Sequence, residues 1–94
     1  MDILLEERER QSIHYYCIAS DHHRYDLSII YSEKFFGKAM VVSIQSGQMV
    51  LMCDEDIEND MCWAEKLGIE LIDIRELKSF FHLILQNRQV ANQY

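Results

Sequence analysis

Residues 20–38, SDHHRYDLSIIYSEKFFGK, bring together two adjacent histidines (His22, His23), two aspartates (Asp21, Asp26) and two tyrosines (Tyr25, Tyr31). Imidazole and carboxylate in one stretch suggest metal ligation or proton transfer. Neighbouring residues of a strand point to opposite faces, so only a loop would let His22 and His23 approach one ion, with Asp21, Asp26 or the remote His14 completing the set. None of the spacings HxxxH, HExxH or a cysteine-histidine finger is present. The pair therefore reads as a solvated turn that holds no metal, and His22→Ala with His23→Ala is expected to leave the melting temperature nearly unchanged.

Other chemistry is equally thin. There is no GxSxG, GxGxxG or GxxxxGK[ST]. Ser79 and His82 share a helix face at i, i+3, but that helix must also bury Phe80, Phe81 and Ile84, which makes His82 a surface or packing residue. Cys17, Cys53 and Cys62 form an odd set without CxxC spacing and read as reduced, mostly buried thiols, with Cys62 in acidic surroundings that disfavour a thiolate. No enzyme and no cofactor are expected.

Phe35 and Phe36 precede Gly37 and Lys38. Adjacent rings of an extended chain diverge, so one is expected in the core and the other at the surface as an anchor for a protein partner. Tyr15, Tyr16, Tyr25, Phe35 and Phe36 with Arg24, Lys34 and Lys38 also suggest a base-stacking platform. Charge argues against it. Residues 12–53 are neutral and the whole chain carries −7, whereas nucleic-acid affinity comes largely from neutralised phosphates.

That charge is localised. Residues 54–76 hold nine carboxylates against two cations, a solvated helix face or a docking face for a basic partner.

Ninety-four residues, 49% hydrophobic and without proline, make one domain with a single core. The longest apolar runs, such as MVLMC at 49–53, are far short of the ~20 residues that cross a bilayer. The start, MDILLEERER, lacks a cationic region followed by an apolar one and does not read as a secretory signal. A cytoplasmic protein is expected.

From 12 to 53 the apolar period is two. SIHYYCIA (12–19) and YDLSIIYS (25–32) flank the SDHHR connection, with Tyr25, Leu27, Ile29 and Tyr31 on one face. Gly37 ends the next connection, KAMVVSIQ forms a third strand, SGQ a tight turn and MVLMC a fourth strand. Ile57, Met61, Ala64 and Leu67 then recur at helical spacing up to Gly68. IELID (69–73) has room for a fifth strand. Asp73 and Glu76 resemble a capping box, with Ile72 and Leu77 as a staple, opening a last helix striped by Leu77, Phe80, Phe81, Ile84 and Leu85. Asp2 would cap a short helix over residues 1–11, and residues 86–94 read as a frayed polar tail. The expected fold is α+β: a four-stranded antiparallel meander followed by two helices that cover one face.

The run Arg24-Tyr25-Asp26, Ile29-Ile30-Tyr31, Phe35-Phe36-Gly37-Lys38, Gln45-Ser46-Gly47 and Leu51 to Asp54 resembles a family of small cytosolic proteins of Gram-positive Firmicutes grouped under a domain of unknown function. The resemblance is dense over residues 20–55. It implies a bacterial cytosolic setting and brings no activity or site residue with it.

The last two strands are apolar on both faces, and two helices cover only one. The second face, assigned Val50 and Met52 together with Phe35 or Phe36, is therefore expected to join two copies into a homodimer acting by protein–protein interaction. A nucleic-acid-binding module is the alternative, and a minor metabolic enzyme the third reading.

Overall fold

The clearest alternation in the sequence becomes the centre of the sheet. β2 (Arg24–Tyr31) buries Tyr25, Leu27, Ile29 and Tyr31 and leaves Asp26, Ser28 and Ile30 only half-buried, as a two-residue period requires. The structure is a computed structural model that describes residues 1–91, with side chains through Leu85. β1 (Ser12–Ala19), β3 (Ala39–Ser43) and β4 (Met49–Met52) complete an antiparallel meander in the order β1-β2-β3-β4, as expected.

The register sorts the side chains into two faces. Tyr31 stands between Ser12 and Ala39, with Met52 beyond Ala39; Ile29 stands between His14 and Val41, with Val50 beyond. This face is covered. α1 (Ile74–Ala91) sets Leu77, Phe81, Ile84 and Leu85 into the core, where Phe80 packs edge-on to Tyr16 at 5.0 Å and Phe81 edge-on to Trp63 at 5.1 Å.

Only one C-terminal helix forms, and the expected acidic helix does not. Residues 54–68 instead make two short 3₁₀ turns, Asp54–Asp56 and Asp60–Cys62, followed by turns ending at Gly68 with φ 70°. Like charges explain part of this, because Asp54/Glu58 and Asp56/Asp60 would stand one helical turn apart and repel. Trp63 explains the rest. Its indole Nε1 donates to the Ile57 carbonyl at 3.0 Å, taking the acceptor that a helix would give to Met61, and Ile57 and Trp63 are both fully buried while Met61 is exposed.

IELID adds no fifth strand. Ile69 is buried, Leu71 and Ile72 are exposed, and Leu71–Asp73 is a 3₁₀ turn that runs directly into α1. The extended residue before this helical run is Glu70 (φ −69°, ψ 149°), three residues earlier than the expected cap at Asp73, and Ile72 staples nothing. α1 continues as far as Ala91 through most of the polar tail expected to fray, whose remainder, residues 92–94, lies outside the described residues.

Residues 1–11 carry no regular secondary structure rather than the expected helix. So short a helix is marginal without an apolar face to bury, and Ile3, Leu4 and Leu5 find none. Their neighbours are engaged elsewhere: Glu7 pairs with Lys34, and Glu9 accepts from the Ser32 hydroxyl at 2.7 Å.

The β2–β3 connection is a 3₁₀ turn, Glu33–Phe35, opened by Ser32, whose hydroxyl accepts from the Lys34 N–H. It closes with two consecutive left-handed residues, Phe36 (φ 55°) and Gly37 (φ 82°). That bend turns the Phe36 ring out to 93% exposure while Phe35 stays half-buried, the divergence the sequence leads one to expect.

Candidate interaction surface and the His23–Asp73 anchor

The SDHHR connection is a turn with both histidines exposed, but one of them is also engaged beyond the turn. The Ser20 hydroxyl accepts from the N–H groups of His22 and His23, at 3.1 and 2.9 Å, which shapes the turn locally. His22 is exposed. The His23 ring reaches across to the 3₁₀ turn that leads into α1, where Nδ1 lies 2.8 Å from Oδ2 of the fully buried Asp73. Tyr25 donates to the same oxygen at 2.6 Å and accepts the Glu70 N–H at 3.1 Å.

This amounts to a relayed cap. A carboxylate three residues into a helical run normally reaches back to the N–H that opens it. Here the Tyr25 hydroxyl bridges the two. The bond from Tyr25 is the chief reason the Asp73 carboxyl is held below the usual carboxylate range, where its charge also favours the helix N-terminus. Burial, reinforced by Asp73, pushes the Tyr25 phenol up to about 12.

A carboxylate-held imidazole is one element of a general base. The cavity beside β4 is lined by none of these groups. The cluster ties the β1–β2 turn to α1. His82 has a comparable fastening role, with Nε2 at 3.0 Å from Glu58, which also pairs with Lys78 at 3.3 Å. Asp56 accepts from Cys53 N–H at 2.9 Å and from Lys38 at 2.9 Å, so several carboxylates of the acidic segment hold it in place.

The uncovered face of the sheet is different in kind. Ile13, Ile30, Met40 and Leu51 stand in one row across all four strands, and Tyr15, Ser28, Val42 and Met49 in the next. The outer strands leave them most open, with Ile13 61% exposed, Tyr15 59%, Met49 51% and Leu51 43%, while Ser28, Ile30, Met40 and Val42 on the central strands are half-buried. Ile44, just past β3, extends the patch. Its one charged pair, Arg24 with Asp26 at 3.3 Å, lies at the margin.

The expected interaction surface is thus displaced by one residue in β4. Met52 is fully buried and Val50 half-buried against the core, both on the covered face, while Met49 and Leu51 point outward. The reason is register: Val50 stands opposite Val41 and Met52 opposite Ala39, both core residues. Of the four residues assigned to that surface, Phe36 alone is exposed, at the β2–β3 turn. The stacking platform is not assembled either. Tyr25 is buried, Tyr15 and Tyr16 point to opposite faces, and Arg24, Lys34 and Lys38 are each paired with a carboxylate. The cysteines also differ from expectation, with Cys17 and Cys62 exposed and Cys53 half-buried. Cys17 faces outward on β1, beside the open apolar rows, where no core side chain reaches it.

No helix among the described residues is long and apolar enough to cross a membrane. Comparison with curated proteins finds no match. The sequence profile of the SAV0927-like family, however, matches residues 4–83, a span that takes in the whole sheet, the acidic segment and α1 as far as Leu83. The chain belongs to this family of small uncharacterised proteins.

Proposed function

We propose that the protein acts by association rather than catalysis, as a homodimer joined through the open face of its sheet. The observation that carries this reading is the double row across β1–β4, apolar except for Ser28 and the Tyr15 hydroxyl, with no element packed over it. Four strands about 4.8 Å apart and about five residues of ~3.3 Å each make a patch of roughly 19 by 17 Å. That is the size of the largest apolar patch an ordinary monomer carries, a patch that is often functional.

A second copy suits this face. Two such sheets stack at about 10 Å, as in a sandwich, across a two-fold axis. Met40 and Met49 supply side chains that adapt to a self-complementary contact. The electrostatics permit it as well: the residues of the sheet are net neutral, and the acidic segment packs with α1 on the other side, where Glu58 meets Lys78 and His82. The setting we propose is the bacterial cytosol, where the exposed thiols of Cys17 and Cys62 remain reduced.

Sedimentation equilibrium at tens of micromolar tests the reading. The expected mass is twice the 11.2 kDa of one chain, falling to one chain in Val42→Lys. A single-chain mass for the unaltered protein overturns it.

A further inference from the structure

β4 is the last strand of the sheet, and its outer edge is open. The Ser43 N–H donates to the Gln48 carbonyl at 2.9 Å, which makes Ser43 and Gln48 a directly bonded pair. Bonded pairs alternate along an antiparallel ladder, so Val41/Val50 and Ala39/Met52 carry the remaining β3–β4 bonds. Met49 and Leu51 therefore turn their N–H and C=O groups away from β3, and neither has a backbone partner there among the described residues. The edge stops at Cys53, whose N–H is taken by Asp56.

Beside Leu51 lies a cavity of about 430 Å³. Leu51 and Met61, with the half-buried Val50, give it apolar walls over the fully buried Met52 and Trp63, and Lys38 and Lys66 give it two cations. Lys38 is paired with Asp56, while Lys66 has no ion-pair partner among the described residues. A free strand edge next to an apolar cavity with spare positive charge suits a short extended segment whose apolar residues are flanked by acids.

The chain contains such a segment in Asp2-Ile3-Leu4-Leu5-Glu6-Glu7. It has no regular structure, and Ile3, Leu4 and Leu5 are 77%, 94% and 73% exposed, beyond any residue of the open face. The arm leaves the sheet at the end where β4 finishes, since Ser12, Tyr31, Ala39 and Met52 form one row. Its own path is held over the β2–β3 connection by Glu7–Lys34 and Glu9–Ser32, which presents the apolar triplet to a neighbour instead of folding it back.

We propose that the edge of β4 and the adjoining cavity receive this arm from a second copy of the chain as a short added strand, with the acids that flank Ile3–Leu5 facing Lys66. The contact goes beyond the open-face dimer, because it uses the edge of the sheet rather than its face and is tested by a separate readout.

The test uses the full chain carrying Leu4→Cys. Isotopically light and heavy chains are mixed, mildly oxidised, and searched by mass spectrometry for disulfide-linked peptides. The expected product joins residue 4 of one chain to Cys62, at the cavity, of the other. Lys66→Glu lowers its yield several-fold. Leu51→Pro abolishes it while leaving the β3–β4 bonds intact, because the Leu51 N–H points outward. A link confined to single chains, a link to Cys17 on the open face, no link at all, or an unchanged yield in Lys66→Glu overturns the proposal.

Discussion

Val41 and Val42 are adjacent in β3 and identical in type, yet Val41 is fully buried while Val42 stands on the open face. The same contrast runs through the sheet. Ile29, Ala39 and Met52 are sealed beneath α1 and the acidic segment, and Ile30, Met40 and Leu51, their neighbours in sequence, are not. Hydrophobicity alone does not decide burial here. What decides it is which side of the pleat the rest of the chain crosses, and α1 with residues 53–69 all cross on one side.

The sharpest way to break this comparison is to place a lysine on each side of the pleat. Val41→Lys puts an unpaired charge into a dry core and is expected to abolish folding. Val42→Lys is expected to keep the circular dichroism spectrum and melting behaviour of a folded chain while losing self-association. Equal damage from both would show that the open face is covered in the isolated chain. Next in size, Phe81→Ala, which empties the centre of the covered layer, should cost about 3–5 kcal/mol in urea unfolding. Ile13→Ala, on the open side, should cost the single chain well under about 1 kcal/mol.

Tyr25 sharpens the comparison on the covered side. Tyr25→Phe deprives Asp73 of a donor and Glu70 of an acceptor, for an expected loss of about 1–3 kcal/mol. The pH dependence has a definite sign. The phenol's folded value is raised from the ordinary 10.0 to about 12, so its contribution is complete below about pH 10 and is lost as pH climbs through about 12. Asp73 has the opposite sense. Its value is depressed, so its contribution is present above the ordinary carboxylate range and is lost as pH falls through the folded value. Denaturant curves for the unaltered chain and Tyr25→Phe should therefore converge towards pH 12. The smallest effect separates the two histidines: His23→Ala should lower the melting temperature by a few degrees, and His22→Ala should leave it unchanged.

The meander was legible because β2 alternates cleanly and its connections carry serine, aspartate and glycine where turns need them. α1 was legible from the stripe Leu77, Phe81, Ile84 and Leu85. What failed depended on contacts between residues far apart in sequence. β3 and β4 are apolar throughout except for Ser43, which is itself buried, so no residue in them marks the outer face and their parity follows only from β2 through the lengths of two connections, which is why Val50 and Met52 lie on the covered side and not on the expected one. A seven-residue connection sets Ala39 opposite Tyr31, and the Ser46-Gly47 turn sets Val50 opposite Val41. Propagating those pairings would have placed Met49 and Leu51 outward. The helical spacing of Ile57, Met61, Ala64 and Leu67 was genuine but was overridden by the indole bond to Ile57 and the crowding of carboxylates. His23 gave no local sign of its partner, which lies fifty residues away.

Trp63 is the chain's single tryptophan, and its surroundings make it an optical probe of one layer only. The indole is sealed, bonded to the Ile57 carbonyl and set edge-on to Phe81, so its emission belongs to a dry, rigid site and moves to longer wavelength when water enters the covered layer. The open face holds no indole. Two copies meeting there leave the emission maximum where it was, whereas a ligand entering the cavity beside β4 lies against the layer that covers Trp63, which borders the cavity without being exposed to it. Loss of the fold and pairing of the sheets thus have separable fluorescence signatures in the unmodified protein.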